Sequence, residues 1–167
     1  MIEAVIFDLD GTLVNIRIDY EKLYAKIEEE KGVKIKGLAT SLQKLNREER
    51  EKAFEIWTRE EFEALPRMTV NEKGMNIYKT YSSKPRALVT MQGKETVKVI
   101  LKKLGLKFKF IITREDSLDR TVQISTAIKK LKVEVSKVLM IGDRESDSAA
   151  ARKVGCQFLR AQNEDMV

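Results

Sequence analysis

Glu3-Ala4-Val5-Ile6-Phe7-Asp8-Leu9-Asp10-Gly11-Thr12 decides how the rest of this chain is read. Five apolar-rich residues run straight into two acids and a glycine. A short apolar run of this kind, closed by turn residues, reads as a buried strand that ends at Asp8 and turns at Gly11. Asp8 and Asp10 are two apart, so in an extended chain they project to the same side while Leu9 turns away. Two carboxylates held that close raise each other's proton affinity unless a cation relieves them.

Four more segments read as strands further along the chain. They are Arg86-Ala87-Leu88-Val89-Thr90, Phe108-Lys109-Phe110-Ile111-Ile112-Thr113, Lys137-Val138-Leu139-Met140-Ile141, and a weaker one at Cys156-Gln157-Phe158-Leu159. Helical stripes separate them: Val97, Ile100, Leu101 and Leu104, with Gly105 placed to stop the helix; Ile124, Ala127, Ile128 and Leu131; and Ala149, Ala150 and Val154. Strands alternating with helices of about ten residues predict an α/β, Rossmann-like parallel sheet with right-handed crossovers and helices on both faces. The expected order, counting these five strands, is 5-4-1-2-3.

Residues 17–82 break the alternation. Their pattern is helical almost throughout, with apolar spacing at Leu23, Ile27, Ala53, Ile56, Trp57 and Ala64. The expectation is an inserted helical domain of three or four helices over 17–82, between the two pieces, 1–16 and 83–167, of the α/β domain. Gly32–Gly37 and Pro66 mark joints within it, and Ser82-Ser83-Lys84-Pro85 the return to the sheet. Phe54, Trp57 and Phe62 are expected to fill its core rather than to form a substrate-stacking box.

Composition removes several chemistries. The 167 residues include no histidine, which excludes Ser-His-Asp triads, Cys-His pairs, imidazole-based zinc sites and phosphohistidine intermediates. The single cysteine, Cys156, cannot form an internal disulfide, and it reads as a core thiol beside a strand. Carboxylates, hydroxyls, lysines, arginines and an oxygen-bound metal remain. The net charge is +6, with the positive excess after residue 80. Lys94, Lys98 and Lys102 fall in one helical row, so much of that excess reads as a solvated face rather than a nucleic-acid surface. The apolar start is too short to span a membrane, and no signal peptide is visible. A cytoplasmic location without membrane association is the expectation.

The polar residues worth singling out all fall at the carboxyl ends of expected strands, the edge where open parallel sheets bind ligands. Asp8 and Asp10 follow the first strand, Thr90 ends the second, and Asp143 and Asp147 follow the fourth. Asp143 can complete an oxygen-only site suited to Mg²⁺, and Asp147, in the first turn of a helix, points back to the same face.

With Asp8-Leu9-Asp10-Gly11-Thr12 matching DxDGT, Leu88-Val89-Thr90 matching a hydroxyl residue that closes a hydrophobic strand, and Gly142-Asp143-Arg144-Glu145-Ser146-Asp147 matching GDxxxD, the chain resembles the haloacid dehalogenase superfamily. The resemblance runs over essentially the whole chain. It implies a phosphatase of the phosphoglycolate-phosphatase-like kind, with a helical cap inserted after the first strand and a small phosphomonoester as substrate. Asp8 would be the nucleophile that becomes an aspartyl-phosphate, and Asp10 the acid and then the base. Thr90 would bind a phosphoryl oxygen. Mg²⁺ would be held by Asp8, by Asp10 through its backbone carbonyl, by Asp143, and by Asp147 directly or through water. The family's third motif, a lysine ahead of the fourth strand, is missing. Arg120 is the proposed substitute, with Arg114 and Lys129 the other cations of that region able to reach inward. Two further readings compete: a non-catalytic, phosphate-sensing module, and a nucleic-acid end-processing phosphatase.

Overall fold

The computed structural model describes residues 1–32 and 34–161. In chain order the elements are β1 (Ala4–Phe7), β2 (Val14–Asn15), α1 (Tyr20–Lys31), α2 (Leu38–Gln43), α3 (Arg47–Ala64), β3 (Thr69–Val70) and α4 (Glu72–Thr80). They continue as β4 (Arg86–Val89), α5 (Lys94–Leu104), β5 (Phe110–Ile112), α6 (Arg120–Leu131), β6 (Val138–Gly142), α7 (Glu145–Val154) and β7 (Gln157–Arg160).

The main sheet runs β5-β4-β1-β6-β7, and every neighbouring pair is parallel. Numbered on its own five strands, this is the order expected from the sequence. β1 and β6 are buried along their whole length, as central strands covered on both faces must be. Successive side chains of β1 serve opposite cores. Val5 and Phe7 enter one hydrophobic cluster with Val97, Ile100 and Leu101 of α5. Ala4 and Ile6 enter the other, with Ile124, Ala127, Ile128 and Leu131 of α6 and Ala150 and Ala151 of α7. Gly105 stops α5 with φ +67°, a left-handed conformation that a Cβ would strain. Cys156 is buried at the margin of the second cluster.

The inserted helices continue the first cluster rather than building a separate one. Leu23 and Ile27 of α1, Leu42 of α2, and Ala53, Trp57 and Ala64 of α3 are all buried in it with Val5 and Phe7. Asp19 caps α1 by accepting from the Lys22 amide at 3.1 Å, and Asn46 caps α3 in a reciprocal box with Glu49. Of the three aromatic residues expected inside, Trp57 is buried, Phe54 is half-buried, and Phe62 is 41% exposed. Phe62 is therefore no core residue: it lies off the stripe set by Ala53, Trp57 and Ala64, on a turn of α3 that faces outward.

Two features have no counterpart in the expectations. A two-residue antiparallel ribbon pairs Val14 with Val70 and Asn15 with Thr69 where the helical segment leaves and rejoins. Strands that short carry no readable period. Helix α4 packs on the sheet: the Tyr78 ring meets Phe7 edge-on at 5.9 Å and Phe108 at 5.5 Å. Among the described residues no helix is long and apolar enough to cross a membrane.

Candidate active site

Asp8 is the residue around which the site is built. It follows β1 directly, and its amide donates to the Ile141 carbonyl at 2.9 Å, which ties the end of β1 to β6. Its carboxylate oxygen Oδ1 lies 3.0 Å from Nη2 of Arg120. Carboxylate oxygens of Asp8, Asp143 and Asp147 lie within 4.8 Å of one another. Burial pushes the Asp8 carboxyl well above the ordinary aspartate range; Arg120 opposes that rise, while Asp147 and Asp143 add to it. Asp143 is likewise raised, by burial and then by Asp147.

Local structure explains why these side chains converge. After Asp8 the chain turns tightly, with the amides of Thr12 and Leu13 donating back to the Leu9 carbonyl at 3.2 and 2.9 Å. Gly11 makes the turn with φ +85°, and a Cβ there would run into the Asp143 carboxylate. Asp143 is the first residue past β6, and Asp147 sits in the first turn of α7. Asp147 Oδ2 accepts from the Arg144 amide at 3.2 Å, so the residue caps its own helix. Its other oxygen, Oδ1, takes Nε of Arg120 at 3.0 Å.

Arg120 reaches these acids because α6 starts where it does. Asp119 caps that helix by accepting from the Thr121 and Val122 amides at 2.8 and 3.3 Å, which makes Arg120 its first residue. The planar guanidinium then spans Asp8 and Asp147 at once through two different nitrogens, Nη2 and Nε, in one fixed plane. The remaining edge is fixed by Gln123, one turn on: its Oε1 accepts from Arg120 Nη1 at 2.7 Å. Its Nε2 donates to the carbonyls of Thr90 and Ser117, both at 2.9 Å. Gln123 thereby couples the cation to the end of β4.

Asp10 stands apart from the three clustered acids. Its Oδ1 accepts from the Ile16 amide at 2.9 Å, and burial raises its proton affinity, opposed by that hydrogen bond. Thr90 is fully buried, with its hydroxyl donating to Gln92 Oε1 at 2.7 Å and accepting from the Gln92 amide at 3.1 Å. Met91 and Gln92, not Thr90, line the cavity above Asp8 from this strand end.

That cavity holds about 520 Å³. Its floor is Asp8, Asp10, Arg120, Arg144 and Asp147, and its opposite wall comes from α1, α2 and α3. The donor set of Asp8, Asp143 and Asp147 suits a hard divalent cation such as Mg²⁺: all oxygen, two of the three residues buried, and crowded enough to raise proton affinity when no cation is near. Asp10, its Oδ1 held by the Ile16 amide, stands outside this donor set.

A sequence model of the haloacid dehalogenase-like hydrolases matches residues 5–161, which spans every element from β1 to β7. The chain belongs to this haloacid dehalogenase-like hydrolase family. No curated protein sequence matches it. Solved structures share its fold at low identity. A haloacid dehalogenase-like hydrolase from Streptococcus pneumoniae is 20% identical, over 98% of this chain and 88% of that one, with a TM-score of 0.68. A protein assigned as a phosphoglycolate phosphatase from Lactobacillus plantarum is 18% identical, over 96% and 87%, with a TM-score of 0.71. CbbY from Rhodobacter sphaeroides, solved in complex with phosphate, is 16% identical, over 98% and 87%, with a TM-score of 0.68.

Arg120, the cation expected from the sequence to stand in for the missing lysine, is set against Asp8. The other two cations weighed from sequence lie elsewhere. Lys129 is exposed on the last turn of α6. Arg114 is fully buried after β5, where its Nη1 meets Glu61 of α3 at 2.9 Å. Arg114 also stacks over the Trp57 ring at 4.3 Å, and Glu61 accepts from the Thr96 hydroxyl at 2.8 Å. Sequence reasoning missed this pair, because Glu60 and Glu61 lie in a run of charges that reads as a solvated helix face. Gln123 was missed too, although its place three residues after Arg120 on one helix was a usable signal.

Proposed function

We propose that this chain is a phosphomonoester hydrolase of small phosphorylated metabolites, working through an aspartyl-phosphate on Asp8. The observation that carries the reading is the setting of Asp8: a buried carboxylate braced by Arg120, grouped with Asp143 and Asp147, and open to the cavity. The likeness to a phosphate-bound structure and to one assigned as a phosphoglycolate phosphatase supports the same class.

On this reading Asp8 attacks the substrate phosphorus in line with the leaving oxygen. Asp10, whose raised proton affinity keeps it protonated to higher pH than an exposed aspartate, gives its proton to that oxygen. The same carboxylate then takes a proton from the water that attacks the aspartyl-phosphate, and Asp8 is regenerated. Arg120 offsets the charge of Asp8 and the phosphoryl oxygens throughout. Thr90 and Gln92, at the end of β4, offer hydroxyl and amide donors to the phosphoryl group once they release each other. Asp8, Asp143, Asp147 and the Asp10 carbonyl would hold Mg²⁺, which would supply neutralising charge for the nucleophile and the phosphate. The helices between β2 and β3 act as a cap domain that covers the carboxyl edge of the sheet and excludes water.

The test is hydrolysis of p-nitrophenyl phosphate with and without Mg²⁺. Turnover should require the cation, fall by about a thousandfold or more in Asp8→Asn, and leave on the wild-type chain, after rapid acid quenching, phosphate that hydroxylamine or alkali releases. Undiminished turnover in Asp8→Asn would sink the mechanism.

A further inference from the structure

Charge is distributed unevenly across the cavity. Every charged residue lining it belongs to the α/β part: Asp8, Asp10, Asp119, Arg120, Arg144 and Asp147. Of the two cations one is fully committed and the other only loosely held. Arg120 bridges Asp8 and Asp147. Arg144 is 63% exposed at the mouth, with Nε 4.0 Å from Asp143 and the fields of Asp8 and Asp10 on it as well. Asp119 is occupied as the cap of α6.

Among the described residues the opposite wall carries no ionised group. It presents Tyr20, Tyr24, Leu38, Thr40, Gln43 and Trp57. Burial, and then Asp10, push the Tyr20 phenol above its ordinary value, so that hydroxyl stays a neutral donor. The indole N–H of Trp57, a buried residue, has no hydrogen-bond partner. Gln92 spends its Oε1 on Thr90 and has its amide NH₂ left to offer. A second anion on the substrate, whether carboxylate or phosphate, would find no cation in this wall, only Arg144 beside Tyr20 at the mouth, which Asp143, Asp8 and Asp10 already draw on, so its transfer out of water is costly. Hydroxyl groups would find donors and acceptors there, and aromatic faces against which an aliphatic ring can lie.

Taking the phosphatase reading as its basis, we propose that the substrate beyond its phosphate is an uncharged, hydroxyl-bearing group, a sugar or polyol, seated against Tyr20, Tyr24, Trp57, Thr40 and Gln43. Phosphorylated acids and bisphosphates are rejected by the same wall.

Trp57 is the only tryptophan of the chain and lines the cavity, so its fluorescence reports occupancy directly. The experiment titrates Asp8→Asn in Mg²⁺, and in parallel the wild type without divalent cation, with a hexose 6-phosphate and with phosphoglycolate. The hexose phosphate should bind at least tenfold more tightly. Thr40→Lys, a change at an exposed position of α2, should narrow or reverse that ratio by tenfold. Equal or tighter binding of phosphoglycolate by the unmodified wall overturns the proposal, and so does a Trp57 signal that neither ester moves. Selective binding of the hexose phosphate with no hydrolysis by the wild type in Mg²⁺ would retain this assignment and sink the phosphatase reading alone.

Discussion

Arg120 holds two carboxylates with one guanidinium: Nη2 lies 3.0 Å from Asp8 and Nε 3.0 Å from Asp147. With its side chain 15% exposed, the arginine is a fixed, nearly desolvated cation in the floor of the cavity. Arg120→Ala should lower kcat/KM by roughly 10²–10³, the usual consequence of removing one preorganised charge donor. Arg120→Lys should recover part of that loss, because an ammonium keeps the charge beside Asp8 but lacks the rigid fork that holds Asp8, Asp147 and Gln123 together. Steady-state kinetics on a common aryl phosphate decide it, and an alanine variant as fast as wild type would remove Arg120 from the mechanism.

Asp8, Asp10 and Asp143 all have proton affinities raised by burial. For a carboxyl whose folded pKa lies above its unfolded one, the stability it contributes is full below the ordinary value of 3.8 and is lost as pH rises through the folded value. Without divalent cation, Tm should therefore fall as pH is raised from about 4 towards neutrality. Mg²⁺ at neutral pH should restore it, since the ion binds only the folded chain. Asp143→Asn should raise the cation-free Tm at pH 7 and abolish the Mg²⁺ response. Differential scanning fluorimetry on the two chains would refute this if the Mg²⁺ shift survived the substitution.

The same carboxyls set the direction of the activity profile. Asp8 must be ionised to attack, so turnover should be lost as pH falls and it takes up a proton, at a lower pH with Mg²⁺ bound than the cation-free burial of Asp8 would set. Asp10 must be protonated to assist departure of the leaving group, so the rate of Asp8 phosphorylation should fall as pH rises through its own. A substrate with a good leaving group, such as p-nitrophenol, needs the Asp10 proton less. The alkaline limb should flatten for it relative to an alkyl phosphate, and identical profiles for the two would contradict the assignment of Asp10.

Glu61 and Arg114 form an ion pair with both side chains wholly buried, joining α3 to the end of β5. Removing one partner leaves the other charge unpaired in the core, which costs about 3–5 kcal/mol. Glu61→Ala and Arg114→Ala should each destabilise by that amount in urea unfolding. The double change to apolar residues of similar volume should cost much less. The measured pattern discriminates, because two independent surface contributions would add instead.

Thr90 gives both hydrogen-bonding capacities of its hydroxyl to Gln92. If that hydroxyl turns to the phosphoryl group during turnover, Thr90→Val should raise KM and lower kcat together, by about tenfold each. Gln92→Ala should chiefly raise KM. A Thr90→Val enzyme with unaltered constants would leave the phosphate contact to Gln92.

The sheet was legible residue by residue. Apolar runs ending at Asp8, Thr90 and Gly142 have lengths and turn residues that only buried parallel strands satisfy, and the acids after them mark the ligand-binding edge whatever the packing. The helical character of the inserted segment was legible in the same way, since local spacing sets it. The ribbon at Val14–Asn15 and Thr69–Val70 was not, because two residues make no pattern. Nor was the fate of particular charges. Glu61 reads like its neighbours in an acidic helix, yet it is buried because α3 crosses Arg114, fifty-three residues away in sequence.

Asp8-Leu9-Asp10-Gly11-Thr12 and Gly142-Asp143-Arg144-Glu145-Ser146-Asp147 determined by themselves which edge carries the chemistry and which atoms are available for it. Short-range spacing is enough for that, because it sets which side chains share a face. Tertiary structure alone decided that Arg120 faces Asp8, that Thr90 is satisfied by Gln92, and that the wall opposite the acids is uncharged. Those facts depend on where helices distant in sequence cross the sheet, and on which polar groups burial forces to find one another.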